Sequence, residues 1–157
     1  MANKWRLTAD GKLYRKARHE YPNGDVYEGE WVDGKRHGKG VHMYKKSGNK
    51  YIGEYVGGMQ EGFGVMIWSD HRDGSSMVRG RRYEGMWNAG RRHGPGVYIL
   101  GNGGDSYDGE FAEDKYHGKG EFTYRNGDRY TGDWYRHRWG GKGIIEYVGR
   151  ERRGERT

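Results

Sequence analysis

Three histidines, His37, His93 and His117, recur at a common position of the sequence, and their side chains are of a type that binds metal ions. Two imidazoles share a zinc ion only when each ligating nitrogen lies about 2.1 Å from it. If the histidines belong to successive pairs of β-strands, His93 and His117 lie about 10 Å apart. We therefore expect a structural or turn-edge role for all three, with no metal and no cofactor.

Five Gly-x-Gly pairs could also do chemistry, because glycine-rich loops cradle phosphates. The pairs are Gly38/Gly40, Gly62/Gly64, Gly94/Gly96, Gly118/Gly120 and Gly141/Gly143. They fall inside predicted strands, not between a strand and a helix, and no Gly-x-x-x-x-Gly-Lys-Ser/Thr motif is present. No Ser/His/Asp or Cys/His arrangement can be singled out, and the chain has no cysteine. The sequence therefore indicates a protein that is not an enzyme.

Basic residues concentrate in predicted turns along one long edge of the molecule. They are Lys35, Arg36, Arg91, Arg92, Lys115, Arg136 and Arg138. One interpretation is a solvated edge that keeps a sheet soluble. The other is a docking edge for an acidic protein or for anionic lipid, at about 1 kcal/mol per basic residue near the membrane surface. Nucleic acid is a less favoured partner, because nothing resembles a base-reading helix.

These side chains recur because the chain is built from repeats. The pattern Tyr-x-Gly-x-aromatic begins at Tyr27, Tyr51, Tyr83, Tyr107 and Tyr130, and a Gly-x-Gly follows eleven residues after each tyrosine. The spacings between the tyrosines are 24, 32, 24 and 23 residues. A fixed period near this length predicts an array of one small structural unit.

Each unit is predicted to be a β-hairpin, because its rings and glycines recur at every second residue. In the first unit we expect Tyr27 opposite His42, Gly29 opposite Gly40 and Trp31 opposite Gly38, so that rings lie flat over glycine backbone. Ten such strands and an eleventh over residues 13–21 predict an all-β fold, an elongated single-layer antiparallel meander of tandem β-hairpins. No second layer is available to cover it.

The composition bounds the rest of the molecule. Only 32% of the 157 residues are hydrophobic, but the 14 tyrosines and 6 tryptophans supply apolar surface that argues against disorder. We expect a capping segment over residues 1–20, a repeat domain over 21–148 and a charged tail over 149–157. The absence of cysteine and of long apolar runs favours a soluble cytoplasmic protein.

The second face of the sheet differs between units. Under the expected register, units one, four and five place an acid opposite a base: Glu30 and Lys39, Glu110 and Lys119, Asp133 and Lys142. Units two and three instead place Glu54 opposite Phe63 and Met86 opposite Pro95. The remaining second-face residues of these two units are Ile52, Val65, Ile67, Val97 and Ile99. The middle of the sheet should therefore carry an apolar patch, which either the loop over residues 69–82 or a partner covers.

The frame from Tyr27 to Gly40, YEGEWVDGKRHGKG, resembles the MORN (membrane occupation and recognition nexus) repeat. Asp114 and His137 depart from it, since they stand where the family's turn glycine would be. The long second interval is similar to that of MORN-repeat proteins of sperm and flagella. The resemblance implies a non-catalytic interaction scaffold in a cytoskeletal or flagellar setting. The alternative is a peripheral adaptor that binds anionic phospholipid through the basic edge.

We expect a protein partner to contact either face of the scaffold. On the second face the predicted contacts are Ile52, Phe63, Val65, Ile67, Met86, Val97 and Ile99. In the aromatic groove they are Trp31, Tyr55, Trp87, Phe111 and Trp134. The exposed terminal strands also make a homodimer plausible, because unpaired strand edges invite pairing with a second chain.

Overall fold

In the computed structural model, which describes residues 4–73 and 75–149, one open antiparallel sheet of twelve strands forms the body of the molecule. Its strands are β1 (Arg6–Leu7), β2 (Leu13–Glu20), β3 (Val26–Val32), β4 (Lys35–Met43), β5 (Lys50–Val56), β6 (Met59–Ile67), β9 (Arg82–Asn88), β10 (Arg91–Ile99), β11 (Ser106–Ala112), β12 (Lys115–Thr123), β13 (Arg129–Tyr135) and β14 (Arg138–Glu146). A separate hairpin contains β7 (His71–Asp73) and β8 (Ser76–Val78). The predicted single-layer meander is confirmed, with β1, β7 and β8 as strands that the sequence did not reveal.

The core is a row of tyrosine rings pressed against glycine backbone. Tyr27 is fully buried, and its hydroxyl donates a hydrogen bond of 3.1 Å to the carbonyl oxygen of Glu30. Beneath it Gly29 pairs with Gly40, and a Cβ added at Gly29 would lie 2.6 Å from the Gly40 Cα. Only glycine therefore allows the two backbones and the ring to approach so closely. The same hydrogen bond recurs at Tyr51, Tyr83, Tyr107 and Tyr130.

Neighbouring rings pack edge to face along this core. The Trp31 ring meets the Tyr27 ring with centroids 5.0 Å apart and an interplanar angle of 88°, and Tyr55 of the next unit meets Tyr27 at 5.2 Å. Such pairs contribute about 0.5–1.5 kcal/mol beyond their buried area. Aromatic contacts between units thus take the place of a second layer.

The register within each hairpin differs from the prediction at one point. Gly29 pairs with Gly40 as expected, but Trp31 pairs with Arg36 and not with Gly38. The turn between β3 and β4 contains only Asp33 and Gly34, so β4 begins early and the ladder then skips two residues. Gly38, with φ of 54°, sits in this bulge. Because the skip is even, the predicted faces of both strands are preserved.

Along one edge of the sheet, side chains form hydrogen bonds that connect successive turns. The Asp25, Asp105 and Asp128 carboxylates accept hydrogen bonds from backbone N–H groups twenty residues further along the chain. Asn49 does the same for the Ser69 amide. The third unit has Arg81 at this position instead. Each hairpin except the third is thus closed by a side-chain acceptor.

The hairpin of β7 and β8 is attached to the turn after β10 and leaves the second-face residues exposed. Asn102 binds its stem, since the Asn102 Nδ2 donates to the Met77 carbonyl at 2.8 Å and its Oδ1 accepts from the Arg79 amide at 2.9 Å. The second-face residues Phe63 and Met86 stay 48% and 37% exposed. The alternative that the loop over residues 69–82 covers the apolar patch is therefore wrong.

Within the described residues, β1 and β14 are the two end strands of the sheet, each paired on one side only. At the first end Trp5 packs against Arg15, whose guanidinium lies 4.5 Å from the Trp5 ring centroid, whereas Leu7 is exposed. Residues 1–3 of the predicted cap and 150–157 of the predicted tail lie outside the described residues. Within residues 4–73 and 75–149, the structure has no helix with the length and hydropathy needed to cross a membrane.

Candidate functional site

For two of the lysines that the sequence paired with an acid of their own unit, pairing across the second face instead joins neighbouring units. Lys39 pairs with Glu54 and Lys119 with Asp133, and the Lys119 Nζ lies 2.5 Å from an Asp133 carboxylate oxygen. The predicted pairs of Glu30 with Lys39, Glu110 with Lys119 and Asp133 with Lys142 are wrong. The reason is the bulge, which leaves the residue after each bulge glycine unpaired within its own hairpin.

The same bulges make the predicted pairs in the middle of the sheet wrong. Glu54 is not opposite Phe63, and Met86 is not opposite Pro95. Phe63 instead pairs directly with Met86, and Pro95 pairs with Glu110 of the next unit. Two large apolar side chains therefore meet at the seam between units two and three.

We define the apolar patch as the seven second-face residues Ile52, Phe63, Val65, Ile67, Met86, Val97 and Ile99. Five of them are among the exposed large hydrophobic residues, with 37–48% of their surface accessible. Val41, opposite Ile52, extends the patch into unit one. Its equivalence to Val65 and Val97 in the repeat was the signal that could have identified it. The structure leaves this surface to solvent or to another molecule.

Phe63 separates two shallow grooves on the patch. One groove, of about 570 Å³, is lined by Met86, Pro95 and Val97, and the other, of about 490 Å³, by Ile52 and Val65. Charged residues surround both grooves: Lys16, Glu28, Lys39, Glu54, Arg82, Glu84 and Asp108. An apolar centre with large side chains and a polar rim is the usual anatomy of a protein–protein interface.

The five groove aromatics predicted to contact a partner form the core instead. Trp31, Tyr55, Trp87, Phe111 and Trp134 are only 1–6% exposed. Their polar atoms are largely used internally, as where the Trp31 Nε1 donates to the Ala17 carbonyl at 3.1 Å. The accessible rings of the groove are the partly buried Tyr21, Tyr44, Trp68, Tyr98 and Tyr124. The sequence placed both sets on one face but did not separate the core from its rim.

The basic edge is divided by the structure. Lys35, Lys115, Arg136 and Arg138 are exposed at the turns, and Arg91 pairs with Glu113 at 3.7 Å. Arg36 and Arg92 instead turn inward over the aromatic rings. Two further arginines that the sequence did not single out, Arg15 and Arg81, also lie over rings, those of Trp31 and Trp68. The groove is therefore lined by cations as well as by aromatic side chains.

A chain of polar contacts, a hydrogen bond followed by a longer electrostatic contact, links Arg36 to Asp25 through His42. The Arg36 Nη1 lies 2.9 Å from His42 Nδ1, and His42 Nε2 lies 3.5 Å from an Asp25 carboxylate oxygen. Because an arginine only donates, His42 must accept at Nδ1 and carry its proton on Nε2. Burial, together with the Arg36 charge, lowers the pKa of His42, and Asp25 opposes that shift. His42 is thus held neutral between the two charges.

The three repeated histidines lie in equivalent strands, β4, β10 and β12. His37 pairs with Glu30, and His117 pairs with Glu110 and with Tyr135. In the part of the chain that the structure describes, no group of three or more histidine or acidic side chains could hold a metal ion.

Comparisons with known proteins agree with this architecture. The MORN repeat family model matches residues 27–48, 51–71, 83–105 and 107–129, more than half of the chain. The chain is 34% identical over 107 residues to MORN repeat-containing protein 3 of Xenopus laevis. That alignment covers 65% of this chain and 32% of the relative, so the chain spans about a third of the relative's length.

The chain also matches a solved structure, at a low TM-score. It is the SAS-4 (dCPAP) TCP domain of Drosophila melanogaster in complex with a proline-rich motif of Ana2 (dSTIL), with 13% identity and a TM-score of 0.49. The likeness covers 94% of this chain and 86% of the other.

The family model matches four repeats, and the structure adds a fifth, in which Tyr130 donates to the Asp133 carbonyl as the other leading tyrosines do. MORN repeat proteins are generally binding or scaffold proteins, and the repeat is not an enzymatic one. The chain belongs to the MORN repeat family.

Proposed function

We propose that this chain is a non-catalytic scaffold that holds a protein partner on the apolar patch of its second face. The observation that supports this function most strongly is the seam at Phe63 and Met86, where two large side chains pair across neighbouring units while 48% and 37% of their surface stays accessible. Phenylalanine and methionine are enriched in the centres of interfaces. A sheet one layer thick offers them no internal cover.

The shape of the patch favours a partner with apolar side chains. The two grooves beside Phe63 are shallow and surrounded by charged residues of both signs. A partner side chain in each groove would bury apolar surface, worth about 25 cal/mol per Å², while the polar rim fixes the orientation. A cytoskeletal or flagellar setting is the one that the family resemblance suggests.

Two substitutions at one repeat position test this function. Val65→Glu and Val97→Glu together should abolish recovery of the partner in pull-downs from cell extract, because they place charge at the centre of each groove. Glu121 occupies the same position of the fourth unit, so a carboxylate there is compatible with the sheet. Ile144→Glu, at that position in the fifth unit, is the matched control. Unchanged recovery by the folded double variant contradicts the proposal.

Binding of anionic phospholipid through the basic edge is the second candidate. It is supported by Lys35, Lys115, Arg136 and Arg138, which stand exposed along the turns. We expect such binding to fall steeply with salt, since exposed charges are screened within about 10 Å at 0.1 M ionic strength. Sedimentation with phosphatidylserine vesicles measures it. Binding that is insensitive to salt and to the charge of the lipid would contradict this candidate.

A further inference from the structure

Arg36 and Arg92 occupy equivalent positions of the first and third units, and both lie over aromatic rings. The Arg36 guanidinium lies 5.1 Å from the Tyr55 ring centroid, and that of Arg92 lies 5.3 Å from the Phe111 ring centroid. Each donates from Nη2 to the carbonyl of the second residue in the next turn, Gly58 at 2.6 Å and Asp114 at 2.8 Å. The two arginines differ in what that turn residue provides, and also in that Arg36 contacts the His42 ring nitrogen where Arg92 lies over the Tyr98 ring.

Asp114 supplies a carboxylate and Gly58 does not. One Asp114 carboxylate oxygen accepts from the Arg92 backbone N–H at 3.0 Å and from Arg92 Nε at 3.2 Å. Among the described residues Arg36 forms no ion pair, and Asp25 is separated from it by the His42 ring. The charge of Arg92 is therefore neutralised within the chain, whereas that of Arg36 is not.

The space beside Arg36 is open and positively charged. A Cβ added at Gly58 would meet no atom within 4 Å. A cavity of about 700 Å³ extends from there, and its lining includes Arg15 and Lys35 beside one acidic residue, Asp25, so cationic side chains predominate. The buried Arg15 Nε has no hydrogen-bond partner in the described part of the chain. Contacts with His42 and Gly58 already hold the Arg36 guanidinium in place, so little side-chain freedom would be lost when an anion binds it.

We infer that Arg36 is a seat for an acidic side chain of a protein partner, whose carboxylate would bind Arg36 as the Asp114 carboxylate binds Arg92. The inference rests on the proposed scaffold function and adds an acidic contact in the aromatic groove, on the face opposite the apolar patch. A guanidinium forms directed, charge-assisted hydrogen bonds with a carboxylate, as Arg92 Nε does with Asp114, which favours this chemistry over a diffuse attraction to charge.

Replacing Gly58 tests the seat directly. Gly58→Asp should place an internal carboxylate on Arg36, and we expect it to weaken binding of fluorescein-labelled octaglutamate about tenfold in fluorescence polarisation, the loss of one charge-assisted contact. Gly58→Asn, which keeps the size without the charge, should weaken it by less than about twofold. Gly58 has φ of 93° and Asp114, at the same turn position, has φ of 69°, a left-handed conformation that Asp and Asn adopt more readily than other side chains.

Gly90→Asp is the matched control for bulk charge. Gly90 is the equivalent turn residue of the third unit, and its Cβ direction points toward Gln60 instead of an arginine. Equal weakening by Gly58→Asp and Gly90→Asp would overturn the seat, as would wild-type binding by Gly58→Asp. Loss of binding to phosphatidylserine vesicles with no change for octaglutamate would also overturn it, in favour of a membrane. Octaglutamate binding should survive Val65→Glu with Val97→Glu, so failure of the patch and failure of the seat are distinguishable.

Discussion

Single tyrosines and glycines carry the stability of this sheet. Each leading tyrosine is buried to 0–3% exposure over a pair of glycines, although the sheet has no second layer. Desolvation raises the pKa of the Tyr51 hydroxyl, which donates to the Glu54 carbonyl instead of reaching water. The ring and the two glycines beneath it act as one unit, so a change in any of the three should disturb the others.

Gly53→Ala should be strongly destabilising. Its Cβ would lie 2.6 Å from the Gly64 Cα, a backbone atom that has little room to move. We expect a loss of more than about 2 kcal/mol in the free energy of unfolding, measured by urea denaturation with tryptophan fluorescence. Gly141→Ala is the control, since its Cβ would meet only the flexible Asp133 side chain. Equal effects of the two substitutions would contradict the close-packing account.

His42 should make the fold less stable in mild acid. Burial lowers its pKa below 6.5, so as the pH falls past that value the unfolded chain takes up a proton that the folded chain does not. Burial also lowers the pKa of His137, so this residue likewise makes the fold less stable in mild acid. Unit two has Met66 at the position equivalent to His42. The substitution His42→Met should therefore fit the fold and should reduce the fall in Tm between about pH 7.5 and 5.5. An identical pH slope in the variant would show that His42 is not the titrating group.

At the scale of elements, the alternation of residue types predicted which face each side chain occupies. The prediction succeeded because the hairpin bulge skips two residues, which leaves the parity of Gly29 and Gly40 intact. It failed for Trp31 and Gly38, since parity says nothing about how long a turn is. The two-residue Asp33-Gly34 turn was a readable signal, because such dipeptides close tight hairpins.

The carboxylates that close each hairpin should each add a small increment of stability. Asp105 accepts from the Arg125 backbone N–H at 2.9 Å, and Asp105→Ala removes that acceptor. We expect a loss of about 1 kcal/mol in the free energy of unfolding, with faster hydrogen exchange at the turn after β12. Asp108→Ala, an exposed carboxylate of the same hairpin, is the comparison. If both variants unfold alike, the edge hydrogen bonds are not stabilising.

At the scale of the whole molecule, the repeat period predicted a ribbon one sheet thick, and the twelve-stranded meander confirms it. Side-chain types and their alternation placed the apolar patch in units two and three, and the structure extends it to Val41 of unit one. The direct pairing of Phe63 with Met86 was not predicted, because the pairing between units depends on the bulge. The position of the β7 and β8 hairpin at the edge was also not predictable, since it depends on Asn102 from a distant turn.

The two faces of the ribbon have different characters. One face buries the rings and places arginines such as Arg36 and Arg92 above them, and the other exposes the apolar patch. Under the two proposals above, an acidic segment would lie in the groove and an apolar surface would lie on the reverse. The two contacts are independent in space, so a partner or a pair of partners could use both.

Photo-crosslinking at the centre of the patch tests the scaffold proposal most directly. Benzoylphenylalanine placed at Phe63 should yield a covalent adduct with a protein from cell extract on irradiation, and the adduct should be lost when Val97→Glu is added. The same probe at Ile144, which is 68% exposed but outside the patch, should yield none of that adduct. No protein adduct at position 63, or the same adduct at both positions, would contradict the account.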